Sequence, residues 1–272
     1  MNAPIGVFDS GIGGLSVLKA LRAALPHEDF IYLADNGHAP YGERDTKHVL
    51  ARSRAVTQYL VGQNIKALVV ACNTATAAAI DRLRTEHPNL PIVGVEPALK
   101  PAVAISQTGR IGVMATRSTL ASARFQALLA AQAGVAQFVL QACDGLADAI
   151  ERGARKVDAT ELIAVCAHYT AAMGLFGTQP GQIDTLVLGC THYPFVSDHL
   201  QALVGADVML VENGEAVARQ TLRLLHAAAG NISPAATGHG RIKLFTTGDA
   251  HALKEAAAHW LALREPVGLL QL

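Results

Sequence analysis

The sequence predicts an α/β protein built as two similar halves, each a mostly parallel sheet flanked by helices. Three observations carry that expectation. Short β-rich runs alternate with helical stretches along the 272 residues. The chain exceeds the ~100–200 residues typical of one domain, so two modest lobes or one large α/β unit are expected. Two patterns also recur: Ile5-Gly6-Val7 returns as Ile111-Gly112-Val113, and I-x-x-L-V-x-x-C occurs at Ile65–Cys72 and again at Ile183–Cys190. Three-residue matches between Val/Ile/Leu-rich strands arise easily by chance, but each longer repeat ends a strand on a cysteine.

Strands are expected at Ile5–Phe8, Phe30–Leu33, Ala67–Ala71, Ile92–Val95, Ile111–Met114, Phe138–Gln141, Thr185–Leu188, Val208–Val211 and Ile242–Phe245. Each is a short aliphatic or β-branched run bounded by turn-forming or polar residues. Between most of them lie Ala/Leu/Arg stretches with helical spacing, such as Leu15–Leu25 and Thr46–Gln63. The expected division is residues 1–97 with 207–272 as one lobe and 98–206 as the other.

Apolar residues make up 51% of the chain and charged ones 16%, the composition of a globular enzyme. Lys plus Arg number 22 and Asp plus Glu 22, so no net field draws the chain to nucleic acid or to an anionic membrane. A small-molecule substrate is the better expectation. Residues 1–10 lack a basic start and an apolar signal region, and no apolar run approaches the ~18 residues of a membrane span, so a cytoplasmic protein is expected. The four cysteines, Cys72, Cys143, Cys166 and Cys190, form no C-x-x-C pair, and free thiols are expected.

In open α/β sheets ligands bind beyond the carboxyl ends of the strands, where Asp9-Ser10, Cys72-Asn73-Thr74 and Cys190-Thr191-His192 would all sit. If the halves face each other, the two cysteines flank one cleft. The loop Asp9-Ser10-Gly11-Ile12-Gly13-Gly14 precedes an amphipathic helix, and its glycines would let backbone amides approach an anion. A dinucleotide fingerprint fails because position 16 is Ser, and a turn that needs glycine for conformation alone is the plainer alternative. Asn73 and Thr74 read as N-cap residues for a helix over Ala75–Leu83, whose positive end favours a thiolate at Cys72. Cys190 follows its strand in the same way, with Pro194 suited to a first helical turn and His192 able to pair with the thiol. A single strand-end cysteine is more often a buried structural thiol, and two in matching contexts reverse that preference.

Cys143 and Cys166 read as core thiols. Cys166/His168 and Cys190/His192 are two residues apart, a spacing that shares no helix face, so no metal site is expected. Asp9 and Asp35 follow strands and Glu151 follows a short helix; each could relay a proton, although a solvated or capping acid is the commoner role.

Together Asp9-Ser-Gly-x-Gly-Gly, Asp35 leading to Pro40-Tyr41-Gly42, Ala71-Cys72-Asn73-Thr74-Ala75 and Leu188-Gly189-Cys190-Thr191-His192-Tyr193-Pro194 resemble glutamate racemase, in the family's order from residue 5 to about 196. The paired cysteine motifs are highly specific; the first loop alone is not. The resemblance implies two pseudo-symmetric lobes, an active site in the cleft between them, and reversible conversion of L- to D-glutamate for peptidoglycan precursors without pyridoxal phosphate or metal. It puts proton transfer on Cys72 and Cys190, and substrate contacts on Asp9, Ser10, Tyr41, Gly42, Asn73, Thr74, Thr191 and His192. Asp9 and Glu151 become the assisting acids, and His192 the support of the second cysteine. Asp144 stands where the family has Pro, which bears on the placement of Glu151, and Glu212-Asn213 stands where Asp-Ser is common. Dimers and control by a peptidoglycan precursor occur within the family, and the sequence leaves both open. Two other readings also stay open: a cysteine hydrolase or amidotransferase using Cys190 with His192, and a non-catalytic amino-acid-binding protein. Aspartate and hydantoin racemases and a decarboxylase share the two-lobe plan, so the chemistry is firmer than the substrate.

Overall fold

The computed structural model describes residues 3–153, 160–229 and 239–272. It divides into two units, residues 1–95 with 214–272 and residues 96–213.

The first unit opens with β1 (Ile5–Asp9), α1 (Leu15–Ala24) and β2 (Phe30–Ala34), followed by two single 3-10 turns at Asn36–His38 and Tyr41–Glu43. Then come α2 (Thr46–Gly62), β3 (Ala67–Val70), α3 (Asn73–Glu86) and β4 (Ile92–Gly94). The second unit holds α4 (Leu99–Ile105), β5 (Arg110–Ala115), α5 (Arg117–Ala121), α6 (Ala123–Ala130), β6 (Gln137–Ala142), α7 (Leu146–Gly153) and α8 (Thr160–Met173). It continues through β7 (Thr185–Leu188), a 3-10 turn at Tyr193–Val196, α9 (Ser197–Val204) and β8 (Met209–Val211). The chain then returns to the first unit with α10 (Gly214–Ala229), β9 (Ile242–Thr246), α11 (Ala250–Leu261) and β10 (Val267–Leu269). The expected boundary at residue 206 falls before β8, which pairs in parallel with β7, so the return to the first unit comes at Gly214.

Both sheets are parallel throughout their paired strands. The first runs β10-β9-β2-β1-β3-β4 and the second β6-β5-β7-β8. Four strands of the first sheet, β2-β1-β3-β4, thus have the connectivity of the whole second sheet, and β9 and β10 extend the first. Parallel strands covered on both faces read as continuous apolar runs, which is why the aliphatic stretches located them. In the first unit Phe8, Leu33, Leu68 and Val70 pack under Val56, Leu60, Ala79 and Leu83 of α2 and α3, while α1 packs with α10 and α11. In the second, Met114, Leu186 and Leu188 pack with Leu146, Cys166 and Leu200, whereas Ile111, Val113 and Val187 pack with Leu99, Ala102 and Phe125.

The sequence repeat has a physical cause. Ile5-Gly6-Val7 lies beside Ala67-Leu68-Val69, and Ile111-Gly112-Val113 lies beside Thr185-Leu186-Val187, in the same register in both sheets. A Cβ on Gly6 would come within 2.9 Å of Ile65 Cδ1, and one on Gly112 within 3.3 Å of Ile183 Cγ2. Ile65 thus fills the space that Gly6 leaves, whereas at Gly112 Ile183 shares that space with Met173 and Leu186, which come nearer. That shared register puts Cys72 and Cys190 just past the carboxyl ends of equivalent strands, β3 and β7. Each is next to the central strand where the connectivity reverses direction, the usual place for a ligand in such sheets.

Candidate active site

The half-site of the first unit gathers at the ends of β1 and β3. Asp9, the last residue of β1, is fully buried, and its Oδ1 accepts the Gly11 amide at 2.8 Å. Tyr32 donates its hydroxyl to the Gly11 carbonyl at 2.7 Å, so Gly11 is held at both its amide and its carbonyl. Gly14 has an ordinary helical φ of −62°, so conformational freedom is not what the loop needs there. A Cβ on Gly14 would fall 2.6 Å from Asp9 Cβ and 3.0 Å from the Tyr32 hydroxyl. The glycine lets the loop close over Asp9.

Cys72 itself is the N-cap of α3: its Sγ accepts the Ala75 amide at 3.4 Å and lies 3.7 Å from the Ser10 hydroxyl. Asn73 and Thr74, expected as caps, instead form the first turn of the helix. The sulfur thus meets the helix's unsatisfied amides directly, and a negative charge there is favoured by them and by the macrodipole. Asn73 is 4% exposed, yet both polar atoms of its amide lack a partner among the described residues. A buried amide in that state fits a site that takes a polar ligand or water. Thr74, next to it in the sequence, and Ser10, whose hydroxyl faces the Cys72 sulfur, are buried as well.

Tyr41 and Gly42 lie in the second 3-10 turn, which packs on α3. Asp35, expected as an acid able to reach a ligand, is fully buried and committed elsewhere. It accepts the Tyr41 hydroxyl at 2.5 Å, the Thr247 hydroxyl at 2.7 Å, and Arg52 through Nε at 3.0 Å and Nη2 at 2.8 Å. Burial alone would raise its carboxyl, but these donors and the guanidinium charge hold it below the usual carboxylate range. Burial and the Asp35 charge push the Tyr41 phenol far up, so Tyr41 stays a donor.

The half-site of the second unit sits beyond β5 and β7. Cys190 Sγ is 3.6 Å from His192 Nδ1, and His192 Nε2 is 2.8 Å from Glu151 Oε1. Residues 190–192 precede the 3-10 turn rather than lying in a helix, so the helical spacing rule does not separate the two side chains. Glu151 lies within α7, not after it, and it is this helix that brings the carboxylate to His192. Burial alone would lower the imidazole, but hydrogen bonds to Cys190 and Glu151, with their charges, raise it well above the usual histidine range. Thr191 is buried next to these groups in the sequence. Pro194 occupies the first turn of the 3-10 segment, as expected.

Cys143 and Cys166 are buried in the core of the second unit. Burial raises the Cys143 thiol far above its free value and pushes Cys166 up to about 11. None of the four cysteines is in a disulfide. Asp144, at the departure noted in the sequence, is held by Arg117 at 2.5 Å. Asn213, the other departure, donates from Nδ2 to the Leu188 carbonyl at 3.4 Å behind β7. Among the described residues no group of three or more His, Cys, Asp or Glu is arranged to hold a metal ion. Among the same residues no helix is long and apolar enough to cross a membrane.

Arg52, Thr247 and Thr116 escaped the sequence reading. The first two bond Asp35 from 17 and 212 residues away, a separation no local pattern reports. Thr116 was detectable: in the register of the Ile-Gly-Val repeat it is the counterpart of Ser10, and it caps α5 beside the end of β5.

The family model for Asp/Glu/Hydantoin racemase matches residues 5–221. The chain is 49% identical to a glutamate racemase of Herpetosiphon aurantiacus over 252 residues, covering 92% of this chain and 95% of that protein. Its structure is similar to that of a glutamate racemase from Bacillus anthracis, with a TM-score of 0.86 at 30% identity, covering 100% of this chain and 98% of that one. A glutamate racemase from Escherichia coli, solved with L-glutamate and the activator UDP-MurNAc-Ala, aligns with a TM-score of 0.83 at 28% identity, covering 100% of both chains. The chain belongs to the Asp/Glu/Hydantoin racemase family, among its glutamate racemases, and is an isomerase.

Proposed function

We propose that the chain interconverts L- and D-glutamate by proton transfer at the α-carbon, with Cys72 and Cys190 as the two bases. The observation that carries this reading is the repeated setting of the two sulfurs, each just past the end of an equivalent strand. Inversion needs a base on one face of the carbon and an acid on the other, and a thiolate with a thiol supplies both. Cys72 takes the proton of D-glutamate and Cys190 that of L-glutamate; the opposite thiol returns a proton, and the sulfurs exchange protonation states at each turnover. The α-proton is a very weak acid, so the carbanion must be stabilised by donors fixed beforehand. The hydroxyls of Ser10, Thr74 and Thr191, the Asn73 amide and the first-turn amides of α3 suit that task.

His192 and Glu151 support Cys190, and Asp9 stands by Cys72 as the assisting acid. The two sulfurs provide base and acid without an organic cofactor or a metal. The product D-glutamate serves peptidoglycan synthesis in the cytoplasm. The Escherichia coli precedent makes a peptidoglycan precursor the effector class to test and glutamate the substrate; a homodimer is the assembly to look for.

Turnover in D2O, followed by chiral chromatography and mass spectrometry, is expected to place solvent deuterium on the α-carbon of the product. Cys72→Ala and Cys190→Ala should each abolish racemisation. Product free of deuterium rejects the mechanism, and activity that survives Cys72→Ala points to single-nucleophile chemistry at Cys190. Aspartate run beside glutamate reads the selectivity.

A further inference from the structure

Taking the racemase reading as given, we propose that Arg52 is a positioning residue for the reaction: with Asp35 it fixes the Tyr41–Gly42 turn against the Cys72 end of α3. The Asp35 carboxylate is a junction of three elements. Arg52 reaches it from α2 as a two-pronged fork, Thr247 from the segment after β9, and Tyr41 from the substrate-side turn. His38 Nδ1 stands 3.3 Å from Oδ1 at its outer edge. The fork is itself anchored, because Arg52 Nη1 donates to the Leu272 carbonyl at 2.8 Å.

Tyr41 is 1% exposed, and its ring packs in one cluster with Cys72, Ala75 and Ala79. The turn that carries Tyr41 therefore packs on the thiol-bearing helix while the Tyr41 hydroxyl is held by Asp35. Only a planar guanidinium satisfies both carboxylate oxygens from one side while keeping a nitrogen for a third partner; a lysine ammonium holds the charge without the fork. Removing the fork leaves Asp35 buried with too few donors, and the carboxylate must turn or draw in water. The Tyr41 hydroxyl follows it, and the turn shifts relative to Cys72. Displacements on the scale of an ångström in a substrate-positioning segment cost up to about a hundredfold in rate.

The test uses Arg52→Met, Arg52→Lys and Tyr41→Phe in the full chain, with kcat and KM for both enantiomers and a thermal melt for each variant. Arg52→Met is expected to raise KM for both enantiomers and to lower kcat/KM by about ten- to a hundredfold. Arg52→Lys should lie between Met and wild type, and adding Tyr41→Phe to Arg52→Met should cost little more than the worse single change. A merely structural role reduces the fraction of folded enzyme, which lowers apparent kcat and leaves KM alone; that pattern overturns the proposal. So do wild-type kinetics in folded Arg52→Lys and Tyr41→Phe, which decide the matter if Arg52→Met does not fold. A wild-type chain that fails to racemise glutamate removes the proposed function and this inference with it. Racemising wild type with wild-type KM in the variants removes the inference alone.

Discussion

Replacing Glu151 by Gln keeps the side chain's size and an oxygen for His192 while deleting the charge. Glu151 Oε1 lies 2.8 Å from His192 Nε2, and the two side chains are 15% and 5% exposed, so water screens the pair little. A hydrogen bond to a charged partner contributes about 1.5–3 kcal/mol, which at ~1.4 kcal/mol per decade is about ten- to a hundredfold in rate. We expect kcat/KM for glutamate to fall by that factor. The pH profile should move as well. Burial opposes the imidazolium, but Cys190 and Glu151 outweigh it and raise the ring's pKa above the free value of about 6.5. A raised folded value means that the stabilising interaction is complete below the free value and is lost as pH rises through the raised one. With Gln one of the two supports is gone, so the alkaline limb of kcat/KM should shift to lower pH. Initial rates by chiral chromatography, taken in both directions across the neutral and alkaline range, measure both effects. Wild-type kcat/KM together with an unmoved alkaline limb would refute the role assigned to this carboxylate.

Three further changes probe the scaffold. Asp184 accepts the Ser106 hydroxyl at 2.6 Å, the Gln107 and Thr108 amides at 2.6 and 2.8 Å, and the Thr185 hydroxyl at 3.0 Å. Asp184→Ala should destabilise the chain by about 2–3 kcal/mol in urea unfolding. Burial opposes this carboxylate's charge, yet its donors hold it below the usual range; its contribution is present above about 3.9 and fades as pH falls through the lowered value, so the variant's acid unfolding should lack that component. Gly14→Ala forces a Cβ to 2.6 Å from Asp9 Cβ, which should cost about 1–3 kcal/mol in stability and reduce racemisation with it; an active, equally stable variant would show that the loop yields. Iodoacetamide applied to the native chain should spare Cys143 and Cys166, whose buried thiols resist ionisation, and peptide mass spectrometry would expose the error if either is modified first.

How much of this was legible depended on range. The expected strands were readable because parallel strands buried on both faces are unbroken apolar runs. β10 was not: Pro266 precedes it, it spans Val267–Leu269, and Gly268 packs under the Phe245 ring in place of a side chain. The strand-end cysteines could be located from local pattern alone. Which atom caps α3 could not, since a sulfur ranks outside the usual capping residues and the neighbouring Asn73 and Thr74 satisfy the ordinary rule. Glu151 could be named by resemblance, but its distance to His192 depends on how α7 packs beside the 3-10 turn. The Asp35 junction lay beyond reach for the same reason, with Arg52 and Thr247 arriving from distant parts of the chain.

The two half-sites share strand register but not polar support, and the proposed mechanism turns that difference into a kinetic signature. Cys72 has an amide and a hydroxyl near its sulfur, whereas Cys190 has an imidazole backed by a carboxylate. In the proposed mechanism the His192–Glu151 pair supports Cys190 and not Cys72, so the two directions of proton transfer are supported unequally. Enantiomers have equal free energy in achiral water, and no asymmetry of the enzyme can make kcat/KM differ between directions. The asymmetry must appear instead as unequal kcat values matched by equally unequal KM values. Glu151→Gln weakens the bias toward Cys190 and should bring the two kcat values closer together, while their kcat/KM values fall in step. If the ratio of the two kcat values stays at its wild-type value, the His192–Glu151 pair is not the source of the asymmetry between the directions.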